Sequence, residues 1–94
     1  MSIDEFGLRQ DMERGAQAAA LIGDEMLAAA FKHLESTFFR QWENSQLEEA
    51  EARERLYTCF RLIRGVQGVL NTTIQNGKIA EADLRAAGLL EGDR

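Results

Sequence analysis

Apolar and polar positions alternate along most of the chain at the period of an α-helix. The longest run covers about 45–76, where Ala52, Leu56, Cys59, Ile63, Val66, Leu70 and Thr73 are spaced 4-3-4-3-4-3, the seam of a helix that packs along another helix. Ser45 followed by Glu48 reads as a capping box at its start. Asn76-Gly77 supplies residues that tolerate a left-handed turn at its end. Phe60 and Ile74 flank the seam on one side and Leu62 and Val69 on the other, an apolar arc wide enough for two neighbours.

Upstream, Leu8, Met12, Ala16 and Ala19, broadened by Leu21 and Ile22, predict a first helix over 5–22 with an inner face of mostly alanine and Gly15. Such a face permits close approach but buries little per residue, so this helix is expected to be the least stable. Gly23-Asp24 either ends it, with Asp24 as the N-cap of the next helix, or kinks one continuous helix. Leu27, Phe31, Leu34 and Phe38, widened by Met26, Ala30, Phe39 and Trp42, predict a second helix over 24–43. It should form an antiparallel hairpin with the long helix and gather Phe31, Phe38, Phe39, Trp42 and Phe60 near one end. Most of the core energy is expected in that cluster. Beyond Gly77 a short final helix over 81–87 stops at Gly88, with Leu84, Leu89 and Leu90 docking on the hairpin or remaining mobile. The ends, 1–5 and 91–94, are expected to fray.

The pattern therefore predicts an all-α fold: a helical hairpin or bundle in a single domain, 1–94, with one long C-terminal helix. About 31 helical residues span roughly 45 Å and the preceding helix about 30 Å, so the long helix should outrun its hairpin partner. Either the first helix covers the remainder, in cis or swapped to a neighbour, or another chain does. The breadth of the arc favours a homo-oligomer.

Composition supports helices, because the chain has no proline and is 45% hydrophobic and 29% charged. A net charge of −5, from 16 acidic and 11 basic residues, disfavours a general nucleic-acid binder. Cys59 is the only cysteine and falls on the seam, where it reads as a small hydrophobe; one thiol builds no disulfide framework. The first residues are acidic where a secretory leader is basic, and no apolar run approaches a membrane span, so a cytoplasmic protein is expected.

Candidate chemistry is sparse. His33 falls off the apolar face beside Lys32 and reads as a solvated histidine. Glu48, Glu49, Glu51 and Glu54 lack the Glu-x-x-His pairs of di-iron bundles and are better explained as complementing a helix dipole. No metal, cofactor or catalytic motif is evident, and an enzyme is not expected. The polar feature of interest is a stripe of Arg53, Tyr57, Arg61 and Arg64, spaced 4-4-3 on one face away from the seam. It reads either as a solvated face or as a surface for phosphates or an acidic protein. Gly65 and Gly68 sit beside it inside a helix, where each should cost about 1 kcal/mol against alanine. They either admit another backbone, soften the helix, or have no role. These six residues are the candidate partner-binding set. Leu56, Cys59, Phe60, Ile63, Val66, Leu70, Phe31, Phe38 and Trp42 are the candidate core or oligomer seam.

Several segments carry a resemblance. They are Glu13-Arg14-Gly15-Ala16 with Leu21-Ile22-Gly23-Asp24, Ala30-Phe31 leading to Phe39-Arg40-Gln41-Trp42, Glu51-Ala52-Arg53-Glu54-Arg55-Leu56-Tyr57, and Asn76-Gly77-Lys78. Over about 13–79 the chain resembles a family of small helical proteins of tailed bacteriophages and prophages, often encoded near packaging and head genes. The resemblance implies a setting and no established activity. The function expected first is a non-catalytic, oligomeric interaction module in virion assembly or DNA packaging. The alternatives are an inhibitor that occludes a host defence or regulatory protein, and a nucleic-acid-binding module using Arg53, Arg61 and Arg64.

Overall fold

In a computed structural model that describes residues 3–90, the chain is all-α, with α1 at Glu5–Ile22, α2 at Glu25–Glu43 and α3 at Ala50–Ala86. The fraying expected of 1–2 and 91–94 lies outside the described residues. Asp4 is not frayed: its Oδ1 accepts the Gly7 amide at 3.0 Å and caps α1. Asp24 does the same for α2, taking the Leu27 amide at 2.8 Å from an extended backbone, so Gly23-Asp24 ends one helix and starts another.

The long helix departs from expectation at both ends. It begins at Ala50, not near 45, because the Ser45 hydroxyl is engaged elsewhere: Oγ donates to the Trp42 carbonyl at 2.6 Å and accepts from Arg53 Nη1 at 2.7 Å. Glu49 takes the role foreseen for Glu48, its carboxylate accepting the Gln46 amide at 3.4 Å while its own amide returns to the Gln46 carbonyl at 3.0 Å. At the other end Asn76-Gly77 does not stop the helix, and no separate helix over 81–87 exists. α3 continues to Ala86 and ends in a Schellman motif: Gly88 adopts φ +72°, its amide reaches the Arg85 carbonyl at 3.0 Å, and the Leu89 amide reaches Leu84 at 2.9 Å.

The single domain expected from the length carries its contacts in two compact units, to each of which α3 contributes a segment. The first joins the chain up to Ile22 to the chain from Val69 onward; the second is Gly23–Gly68.

In the first unit α1 packs in cis and antiparallel on the C-terminal part of α3, since Gly15 lies against Gly77 while Arg9 Nη2 donates to the Leu89 carbonyl at 2.7 Å. The inner face of α1 is Leu8, Met12, Gly15 and Ala18, whereas Ala16 and Ala19, expected inside, are exposed. Gly15 sets this rotation, because the two backbones meet where neither has a side chain. Most of the fully buried residues of the described chain (Gly15, Ala18, Gly77, Ala80 and Leu84) lie in this unit. The most complete burial is thus in the alanine-rich pair, whose face was expected to permit close approach, and not in the aromatic hairpin. Small residues let two helices exclude water completely, while large rings on a two-helix layer keep an edge in solvent.

The second unit is the α2–α3 hairpin. Its inner stripe on α3 is Leu56, Phe60, Ile63 and Gln67, all buried or half-buried. Leu56 and Ile63 are where the spacing put them, but Phe60 and Gln67 take the alternate positions expected for Cys59 and Val66. Val66 is exposed, the one clear departure, whereas Cys59 is half-buried as Leu56 and Phe60 are. Gln67 is tolerated inside because its amide donates to Glu35 Oε1 of α2 at 3.2 Å. Phe31 and Phe38 are half-buried on the facing helix, and in the first unit Leu70 is half-buried on α3.

Candidate functional site

The side chains that stand out are those the hairpin fails to cover. Phe38 and Phe39 are adjacent and so about 100° apart around α2. Phe38 turns inward against Phe60, ring centroids 6.4 Å apart at 74°, and Phe39 is left on the flank. Phe39 still touches Phe60 edge to face at 6.5 Å and Trp42 at 6.4 Å. Yet Phe39 remains 53% exposed, Trp42 38% and Tyr57 56%. With Phe60 and Arg64 they line an open groove of about 390 Å³ on the hairpin. Trp42, expected in the core, is therefore a groove wall.

The arginine stripe borders this groove, with different duties along its length. Arg53 is half-buried and internally engaged: its guanidinium lies 4.4 Å over the Trp42 ring and donates to Ser45 Oγ. It also reaches the Trp42 and Ser45 carbonyls at 3.4 Å, so it ties the 44–49 loop to the start of α3 and neutralises the C-terminus of α2. Arg61 donates to its neighbour Tyr57 Oη at 3.3 Å and stays exposed. Arg64 is 73% exposed on its side chain and only 4.0 Å from Glu35, an ion pair too loose and wet to hold it. Arg64 thus lines the apolar groove, and Arg61 adjoins it through Tyr57.

Gly65 and Gly68 have no neighbouring atom within 4 Å of where a Cβ would stand, so no backbone of this chain approaches them. The close-approach glycines are Gly15 and Gly77 instead. We expect Gly65→Ala to raise stability by about 0.5–1 kcal/mol through helix propensity alone, measured by urea unfolding. A loss of stability would show that Gly65 is already covered in solution.

His33 is exposed, and among the described residues no group of three or more His, Cys, Asp or Glu side chains could hold a metal ion. The first turn of α3 carries Glu51 near the positive end of the helix dipole, which explains an acid there without chemistry. Among the described residues no helix is long and apolar enough to cross a membrane.

Sequence reasoning placed Tyr57, Arg61 and Arg64 on the candidate face and missed that Phe39 and Trp42 complete it. The signal was present in the Phe38-Phe39 pair, since two consecutive large side chains lie about 100° apart on a helix and a narrow two-helix seam covers one better than the other. No protein-family model, curated protein or solved structure matches this chain.

Proposed function

We propose that this chain is a non-catalytic helical interaction module: a phage- or prophage-type accessory protein that self-associates, acting in the host cytoplasm during virion assembly or DNA packaging. The observation that carries the reading is the aromatic groove of Phe39, Trp42, Tyr57 and Phe60, open on a small protein, lined also by Arg64 and adjoined by Arg61 through Tyr57. Large aromatics with arginine at their edge are the composition of protein-interface centres, and leaving them half in water forgoes part of their burial energy. The resemblance over about 13–79 supplies the phage setting. The nucleic-acid reading draws less support, because Arg53 is committed to Trp42 and Ser45 and the net charge is −5.

Sedimentation equilibrium tests the reading directly. The wild-type chain should exceed its monomer mass of 10.6 kDa, and Phe39→Asp should sediment as a monomer with unchanged helical circular dichroism. A wild-type chain that stays monomeric at every concentration would overturn self-association.

A further inference from the structure

The exposed face of α3 in the second unit has an internal symmetry that identifies its partner. Ala50, Glu54, Tyr57, Arg61, Arg64 and Gly68 are spaced 4-3-4-3-4 and all are exposed, so they form one outward stripe along the helix. Read from either end, the stripe runs small, charged, then a ring facing a cation. We propose that the occupant of this face is a second copy of the same chain, its α3 laid antiparallel across the first about a two-fold axis midway between Tyr57 and Arg61. The proposal rests on the self-association reading and specifies its geometry.

Antiparallel placement about that axis sets Glu54 against the second copy's Arg64, and Arg64 against the second copy's Glu54, so two ion pairs form at once. Tyr57 meets the second copy's Arg61, exchanging the contact it now makes with Arg61 of its own chain for an equivalent one across the interface. Ala50 meets Gly68, and these small side chains let the helix ends approach; Gly68 has open space around it here. Phe39 and Trp42 flank the stripe and supply apolar area to be covered. Other alignments fail on charge. A parallel pair opposes Glu54 to Glu54, Arg61 to Arg61 and Arg64 to Arg64. An antiparallel pair slid by seven residues opposes Arg61 to Arg64 in one direction, and in the other leaves Ala50 against Arg61. Like-charge juxtaposition rejects the first two registers, and loss of the ion pairs disfavours the last.

The test is a charge swap read by sedimentation. Wild type should run at twice 10.6 kDa. Glu54→Arg alone places arginine against arginine twice, and Arg64→Glu alone places glutamate against glutamate twice, so each should weaken self-association at least about tenfold. Mixing the two variants should restore a dimer, because each chain then presents what the other lacks, and Glu54→Arg with Arg64→Glu in one chain should dimerise as wild type does. Both side chains are exposed, so circular dichroism should report the same helix content throughout. Single variants as dimeric as wild type, or a mixture that remains monomeric, overturn this register while leaving self-association standing. A monomeric wild type overturns both.

Discussion

Gly77→Leu is expected to destabilise the chain by about 3 kcal/mol or more. A carbon added at Gly77 would stand 2.8 Å from the Gly15 Cα and 3.0 Å from the Asp11 carbonyl oxygen. Both are backbone atoms of α1 and cannot rotate away, so relief requires the helices to part. Parting exposes Ala18, Ala80 and Leu84, which are buried only because the two backbones touch. Gly77→Ala should fall between the extremes: the same clash with less bulk, offset by a helix-propensity gain of about 1 kcal/mol. Chemical denaturation of the three chains should rank them wild type, alanine, leucine. An unchanged midpoint for Gly77→Leu would mean that α1 does not pack on α3 through Gly15.

The contrast between glycines shows what the sequence could and could not disclose. Five glycines (Gly7, Gly15, Gly65, Gly68 and Gly77) lie inside observed helices, and a single chain gives each the same weak signal: a local cost with no stated reason. Gly65 and Gly68 drew notice because they interrupt a strongly patterned segment, yet nothing of this chain approaches them. Gly77 looked like a stop because Asn76-Gly77 tolerates a left-handed turn, yet its φ is not positive and the helix runs through it. The reason for Gly77 is Gly15, far away in sequence, and pairing of that kind is invisible to a local pattern. Where the signal was local, it was legible. Asp24 caps α2 as its position suggested, and α1 and α2 have the predicted extents to within a residue.

The inner stripe of α3 was half legible for a related reason. Leu56, Ile63 and Leu70 are inside in either phase of a 4-3 repeat, so their placement was secure. Between them the repeat can continue through Cys59 and Val66 or through Phe60 and Gln67. Hydropathy favours the first pair, because a glutamine seldom lies on a seam. The second pair is inside because Glu35 on α2 receives the Gln67 amide, which is information held by the facing helix. Turning α3 by that fraction of a turn is also what leaves Val66 49% exposed and brings Tyr57 and Arg64 to the aromatic groove. The candidate site was therefore legible as a stripe of Tyr57, Arg61 and Arg64. Its apolar floor was not, because Phe39 and Trp42 satisfy a core pattern as readily as a surface one.

Leu84→Ala should cost about 2–5 kcal/mol, the range for deleting a fully buried leucine. Leu84 is 0% exposed, the largest side chain so completely enclosed among the described residues. Small domains have total stabilities near the low end of about 5–15 kcal/mol, so this one change should shift the unfolding midpoint far. The measurement also decides how α3 ends. Were the chain to break at Gly77 and resume as a short, weakly docked helix, Leu84 would be held by little, and its truncation would cost less than about 1 kcal/mol. In the continuous helix, Leu84 is fixed from both sides. Its own carbonyl accepts the Leu89 amide in the Schellman turn, and Arg9 of α1 donates to the Leu89 carbonyl at 2.7 Å. Amide exchange separates the two cases independently of the mutation: slow exchange across 78–86 in the wild type, lost on Leu84→Ala, is the signature of one helix clamped at its end. Fast exchange there in the wild type would show that Gly77 ends the helix after all.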